Sequence, residues 1–204
     1  MHIVTRYVFT VIVAIIITAT PFLLAKNDDA SGSKLTTGCV APAFTLNSVE
    51  GKPVSLSDYK DKVVVLEWFC AGCPTVRSFY EGKMMQTMQE EYTGKGVLWL
   101  CIDSSSPKVK SYMSPDKVLA KANEYGSKCN AILTDPDGKV GMAYGAKTTP
   151  HIFIIDAKGT IVYQGAVSEG PIPADPKARN YLRTALDEVL TGKPVTTAQS
   201  KQYG

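Results

Sequence analysis

An apolar run that ends in two cysteines constrains the fold of this chain more than any other feature. Residues 63–69 read VVVLEWF, a pattern typical of a strand that is buried on both faces. The run leads into CAGCP at residues 70–74, and apolar residues then recur with helical spacing. The unpaired N–H groups and partial positive charge of a helix N-terminus stabilise a thiolate. The sequence therefore predicts a reactive cysteine pair at a strand–helix junction.

Length and composition narrow the range of functions. A chain of 204 residues has room for one domain with a substantial core. The formal net charge is +3, and neither basic clusters nor aromatic residues interleaved with lysine and arginine occur. Nucleic acid is therefore not an expected partner. The cysteine count of five is odd, so at least one thiol stays free or pairs outside the chain.

Residues 1–25 are predicted to be an export segment. Arg6 gives the start of the chain its positive charge, and residues 7–19 are almost wholly apolar, as in a signal peptide. An uncleaved membrane anchor is the alternative, because residues 7–25 are long enough to cross a bilayer. Both interpretations place the rest of the chain beyond the cytoplasmic membrane, in a periplasmic or other extracytoplasmic location.

Apolar runs that alternate with helical patterns predict one α/β domain with a mixed sheet over residues 38–192. A polar linker over residues 26–37 is expected before it, and a loose tail over 193–204 after it. The first two strands should form an N-terminal hairpin. Strands are predicted at 44–46, 53–56, 63–69, 97–102, 131–133, 152–155 and 160–163, and helices at 76–92, 115–125, 139–144 and 175–190.

Four stretches of the chain resemble the thioredoxin-like superfamily, most closely its peroxiredoxin-like redoxin (alkyl hydroperoxide reductase/thiol-specific antioxidant) branch. They are APAFTL at 41–46, CAGCPTVR at 70–77, DPDG at 135–138 and TPHIF at 149–153. The resemblance implies a thioredoxin fold, in which a mixed central sheet is flanked by helices and the N-terminal hairpin is an extension.

The resemblance also implies a substrate groove. Pro150 resembles the cis-proline that faces the cysteines in thioredoxin folds, where backbone groups near the sulfur can pair with an extended partner chain. Thr149, Pro150 and His151 are therefore the expected groove residues. His151 has a second interpretation, because a single histidine at the start of a strand is often only exposed or hydrogen-bonded.

Family spacing assigns roles to the two cysteines. Thioredoxins place a buried acid six residues before the nucleophilic cysteine, and Glu67 stands six residues before Cys73. The resemblance thus implies that Cys73 attacks and that Glu67, with a raised pKa, relays protons. Val76 stands where the family has its second cysteine. Cys70 is instead the expected resolving thiol, since residues three apart across a turn can meet disulfide geometry.

Rapid peroxide reduction is not expected. The CPT sequence at residues 73–75 resembles the one at a peroxiredoxin's peroxidatic cysteine. Peroxiredoxins also have a proline and a hydroxyl residue upstream, and Leu66 and Cys70 occupy those positions here. The hydroxyl group that would position the peroxide is therefore missing.

Three functions agree with these residues. The favoured one is an exported thiol–disulfide oxidoreductase without a cofactor, which acts on exported proteins carrying thiols or disulfides and receives electrons from a separate donor. The second is a copper(I)-binding, chaperone-like protein with Cys70, Cys73 and His151 as ligands. The third is a non-catalytic thioredoxin-like binding module. The Glu67 spacing favours the first, whereas one histidine gives a metal site little support.

The other three cysteines are expected to matter less. Cys101 lies in an apolar run and should be an inert core residue. Cys39 and Cys129 lie in predicted loops, where they could pair with each other or resolve a disulfide at Cys73.

Overall fold

The computed structural model describes residues 35–109, 112–170 and 178–204. The predicted export segment and residues 26–34 of the predicted linker lie outside the described residues. Within the described ranges, every helix is too short or too polar to cross a membrane.

One mixed sheet is built from the seven strands of the described residues. β3 runs parallel to β4, and β4 runs parallel to β5. On the other side of β3, β6 pairs antiparallel with β3, and β7 pairs antiparallel with β6. Across the sheet the order is β2-β1-β5-β4-β3-β6-β7. The strands are β1 (Thr45–Ser48), β2 (Pro53–Ser55), β3 (Val64–Trp68), β4 (Leu98–Asp103), β5 (Ala131–Thr134), β6 (His151–Ile155) and β7 (Ile161–Gly165).

Helices cover both faces of this sheet. Side chains alternate along a strand, so Val65 of β3 packs into one apolar cluster while Val64 and Leu66 pack into the other. The first cluster lies under helices α1, α2, α3 and α5, and the second lies under α4. The bounds are α1 (Pro74–Glu81), α2 (Met84–Gly94), α3 (Pro115–Glu124), α4 (Lys139–Tyr144) and α5 (Tyr181–Leu190), with a 3-10 turn at Leu56–Tyr59.

The architecture confirms the predicted α/β class with its mixed central sheet and flanking helices. The N-terminal hairpin is also confirmed, since β1 and β2 pair antiparallel around a turn. β1 then joins the main sheet by pairing antiparallel with β5. The hairpin is thus an extension of the sheet on the side away from β7.

The single helix predicted over residues 76–92 was wrong, because the chain forms two helices there. Lys83 has a φ of 58°, in the left-handed region, and separates α1 from α2. The apolar spacing of four continues across this break, which explains the misleading pattern. After the break, the fully buried methionines are Met85 and Met88.

The last helix begins later than predicted. Asp175 and Pro176, the expected start, lie outside the described residues, and α5 begins at Tyr181. The Oδ1 atom of Asn180 caps it by accepting the backbone N–H of Arg183 at 2.8 Å. Asparagine is a favoured residue at this position because its side chain satisfies an unpaired helical N–H group.

The prediction of a loose tail over residues 193–204 was also wrong. Gln199 forms a parallel bridge with Gln164 of β7, and the backbone N–H of Gln164 donates to the carbonyl of Ala198 at 3.0 Å. β7 is an edge strand whose free backbone groups are satisfied in this way. Sequence patterns did not reveal this contact because its two sides are 35 residues apart and neither is strongly apolar.

Candidate active site

Cys73 lies at the N-cap position of α1. The backbone N–H of Cys73 donates to the carbonyl of Cys70 at 3.0 Å, which closes a four-residue turn between the two cysteines. Pro74 then begins the helix, where its missing N–H costs nothing and its fixed φ is suitable. The local sequence thus places Cys73 at the positive end of the helix directly after the carboxyl end of β3.

The sulfur of Cys73 contacts the start of β6. Its Sγ donates to the carbonyl oxygen of Thr149 at 3.1 Å. The Thr149–Pro150 peptide bond is cis, as the resemblance implies. β6 pairs antiparallel with β3 so that His151 lies opposite Trp68. This pairing brings the predicted groove residues to the edge of the sheet where Cys73 lies.

An open cavity of about 470 Å³ lies beside the cysteine turn. Cys70 and Thr149 both line it, and both are partly exposed. Pro150 and His151 are buried behind it, so of the three expected groove residues only Thr149 reaches the cavity. Other lining residues are Trp68, Asp103, Ser104, Met142, Thr148 and Gly204.

His151 is a buried neutral imidazole. Its side chain is only 4% exposed, and its ring lies 4.5 Å from that of Phe153. Burial, together with the positive charge of Lys147, lowers the pKa of His151 to about 4. Nδ1 accepts the backbone N–H of Lys147 at 3.4 Å. The interpretation as a hydrogen-bonded histidine therefore fits better than that of an exposed one.

The proposed copper(I) ligand set receives no support from the geometry. In the described ranges, no three side chains of histidine, cysteine, aspartate or glutamate come together in a way that could hold a metal ion. Cys70, Cys73 and His151 are among the residues covered by that finding. His151 is also turned so that Nδ1 is already occupied by a backbone donor.

Glu67 is fully buried in the central strand β3, so it is not an outward-facing acid at a sheet edge. Burial raises the pKa of Glu67 to about 7, against the opposing effect of the hydrogen bonds that it accepts. Four donors converge on its carboxyl group. They are Trp99 Nε1 at 2.8 Å, Tyr80 OH at 3.2 Å, Gln89 Nε2 at 3.3 Å and Cys101 Sγ at 3.5 Å.

The donors to Glu67 include neither Cys70 nor Cys73 within the part of the chain that the structure describes. The role of Glu67 as a proton relay therefore stays a prediction, and among the described residues Glu67 has no direct hydrogen bond to the thiol of Cys70 or of Cys73. Sequence reasoning missed Gln89 as a donor, although it is fully buried. A glutamine beside the apolar stripe of a helix gives no signal of its own.

The three other cysteines are free thiols, like Cys70 and Cys73. Cys101 is buried, as predicted, and Cys129, whose Sγ accepts a hydrogen bond from Ser127 Oγ at 3.4 Å, packs against the same apolar cluster. The backbone carbonyl of Cys39 instead accepts the backbone N–H of Ile161 at the start of β7. β4 and β7 are three strand spacings apart, roughly 14 Å. That distance exceeds disulfide reach, so the structure does not support a Cys39–Cys129 pair.

Comparisons with known proteins agree with this arrangement. Residues 36–182 match the family model described as Redoxin. The chain belongs to the Redoxin family. It is 30% identical over 160 residues to the thiol-disulfide oxidoreductase ResA of Bacillus thuringiensis (strain Al Hakam). The aligned region covers 78% of this chain and 87% of ResA.

Solved structures extend the likeness. A crystal structure of a Sinorhizobium meliloti 1021 protein has a TM-score of 0.74 at 28% identity, covering 84% of this chain and 93% of that one. A thiol:disulfide interchange protein DsbE of Chlorobium tepidum has a TM-score of 0.60 at 26% identity, covering 76% and 99%. The comparisons confirm the redoxin branch, the thioredoxin-like fold and the prediction of an oxidoreductase enzyme.

Proposed function

We propose that this redoxin is an exported thiol–disulfide oxidoreductase in which Cys73 attacks the partner's disulfide. The observation that carries the proposal is the position of Cys73, at the N-cap of α1 with its sulfur against the carbonyl of Thr149. The partial positive charge at a helix N-terminus favours a thiolate, which is the form that attacks disulfides. The open cavity beside the cysteine turn, which Cys70 and Thr149 line, gives a partner access to this end of the helix.

The exchange proceeds in two steps. The Cys73 thiolate attacks one sulfur of the partner's disulfide, forms a mixed disulfide and releases one partner thiolate. The Cys70 thiolate then attacks the sulfur of Cys73, which releases the second partner thiolate. The partner gains two electrons and this chain is left with a Cys70–Cys73 disulfide. A dithiol electron donor must reduce that disulfide before the next cycle.

The turn between the cysteines supports Cys70 as the resolving thiol. A turn of this kind brings its first and fourth Cα atoms within about 7 Å, close to the range that disulfides require. Val76, in the position of the family's second cysteine, is 1% exposed and has no thiol. Cys70 is partly exposed at the cavity, so it is the thiol in the right place.

Glu67 is proposed to hold and release a proton during exchange. A pKa of about 7 lets a carboxyl group change protonation state near neutral pH, which suits a general acid or base. Export is proposed from the apolar segment at residues 7–25. The similar proteins are named thiol-disulfide oxidoreductase ResA and thiol:disulfide interchange protein DsbE, and these names support the proposal that the partners of this chain carry thiols or disulfides.

Trapping of mixed disulfides tests the proposal. Cys70→Ser should accumulate disulfide-linked partners on non-reducing gels of exported extracts, because the attacking thiol has lost its resolver. Cys73→Ser should trap none. Cys39→Ser is the matched control, since Cys39 is an exposed free thiol beside β7, and its pattern should equal the parent's.

Other patterns contradict the proposal in defined ways. Partners trapped only by Cys73→Ser would make Cys70 the nucleophile. Partners trapped by neither variant, together with no exchange on a small disulfide, would favour a non-catalytic binding module.

A further inference from the structure

Residues 199–204 lie on the surface beside the candidate nucleophile. Gly204 lines the same cavity as Cys70 and Thr149. Its backbone lies so close to Thr149 that a Cβ atom on Gly204 would clash with the Thr149 carbonyl oxygen. Only a glycine fits this contact. The same carbonyl oxygen accepts the hydrogen bond from Cys73.

The start of this segment is anchored on β7. The backbone N–H of Ala166 donates to Ser200 Oγ at 2.9 Å, and Ser200 Oγ lies 2.7 Å from the hydroxyl of Tyr163. Gly165 makes this approach sterically feasible, since a Cβ atom there would clash with Ser200 Oγ. Gly165 also has a φ of 150°, which L side chains rarely adopt. Gly165 and Gly204 thus permit two separate close contacts, the first with Ser200 and the second with Thr149.

Tyr203 anchors the end of the segment on the catalytic helix. Its ring stacks on Phe79 of α1, with 6.5 Å between centroids and 20° between planes. Its hydroxyl donates to the carbonyl of Ser168 at 2.9 Å. α1 is the helix that Cys73 caps, so the segment bridges β7, α1 and Thr149.

We propose that residues 199–204 are an internal occupant of the surface around Thr149 on which a partner polypeptide binds. The partner must displace these residues before its disulfide reaches Cys73. The inference rests on the proposed function. A partner chain that pairs with the backbone of Thr149 would need the space that Gly204 fills. A small disulfide needs only to reach Cys73, which is a partly exposed residue. The segment therefore competes with extended polypeptide partners and not with small disulfides.

Tyr203→Ala in the full chain tests the proposal. The variant loses one aromatic contact and a hydrogen bond, so reduction of insulin disulfides should become about three- to tenfold faster. Its rate with glutathione disulfide should stay within about twofold of the parent's, as expected if that small disulfide does not need the displaced surface. Tyr59→Ala is the matched control, because Tyr59 is a partly buried tyrosine next to the β2 edge, opposite β7.

A second variant acts at the other anchor. Gly165→Ala places a Cβ atom into Ser200 and should release the segment without touching Tyr203. Its insulin rate should rise relative to its glutathione disulfide rate. An insulin rate that is unchanged or lower in the folded Tyr203→Ala variant would refute the internal occupant. A parent chain that exchanges with neither substrate would refute the proposed function instead.

Hydrogen exchange gives a direct readout of displacement. When a cysteine peptide is trapped on Cys73 of the Cys70→Ser variant, amides of residues 199–204 should exchange at least about threefold faster. The same variant carrying only a methylthio group on Cys73 is the control and should keep the parent's protection. Unchanged protection in the peptide-bound protein would overturn the proposal.

Discussion

The thiol of Cys73 donates a 3.1 Å hydrogen bond to the carbonyl oxygen of Thr149, which is 76 residues further along the chain. Antiparallel pairing of β6 with β3 creates this contact, since it places His151 opposite Trp68. The sulfur is thereby held between the start of α1 and the backbone that precedes Pro150.

A thiol at position 76 should take over the role proposed for Cys70. Val76 is buried on α1, three residues after Cys73, where the family has its second cysteine. In the Cys70→Ser/Val76→Cys double variant, mixed disulfides should fall to the parent level, because the new thiol can attack Cys73. Non-reducing gels, with peptide mapping of the disulfide between Cys73 and the introduced thiol, measure this. The Cys70→Ser/Val76→Ala variant is the control and should keep its traps.

Glu67 should make the folded state less stable as pH rises. Its pKa of about 7 lies above the ordinary value of 4.5, so the folded state binds the proton more tightly than the unfolded state. The stability from this group is therefore complete below about pH 4.5 and is lost as pH rises through 7. The loss amounts to about 3 kcal/mol. Urea unfolding of the parent and Glu67→Gln at several pH values should show this loss in the parent alone.

An exposed carboxylate controls for general charge effects on that measurement. Glu90 lies exposed on α2, and Glu90→Gln should follow the parent's pH dependence. A Glu67→Gln variant with the parent's pH dependence would show that Glu67 does not titrate near 7. Thiol–disulfide exchange by the same variant between pH 6 and 9 tests the relay, whose loss should slow exchange by about 10²-fold or more.

His151 should have the opposite pH dependence. Its pKa of about 4 lies below the ordinary value of 6.5, so the stability from this group is complete above pH 6.5 and is lost as pH falls through 4. The loss should be at most about 3 kcal/mol. His151→Asn keeps an acceptor for the N–H of Lys147 and should remove this acid loss in urea unfolding. Equal acid loss in both proteins would contradict the neutral, buried imidazole.

The break between α1 and α2 offers a test of backbone strain. Lys83 has a φ of 58°, a conformation that costs a non-glycine residue about 1 kcal/mol. Lys83→Gly should raise the free energy of unfolding by about 0.5 kcal/mol, since glycine's greater unfolded-state entropy offsets part of the relief. Lys95→Gly is the control and should be destabilising, because Lys95 has a φ of −90°. Denaturant titration distinguishes the two signs.

The sequence predicted most of the sheet because its signals are local. The central strand is a continuous apolar run, and the Lys139–Tyr144 helix was predicted at its observed bounds. The errors arose where distant contacts decide the conformation. The left-handed Lys83 divides a helix whose apolar spacing is unbroken, and residues 193–204 are held by partners on β7 and α1.

The sequence by itself determined the placement of Cys70 and Cys73 at a strand–helix junction, because an apolar run and a helix start depend on neighbouring residues. The redoxin class followed from the resemblance of four short stretches to that family. Only the tertiary structure decided what surrounds the two cysteines. Strand pairing brings Thr149 to the sulfur of Cys73 and surrounds Glu67 with donors from α1, α2 and β4. Packing on the β7 edge likewise brings Gly204 against Thr149, because residues far apart in sequence meet only when the sheet forms.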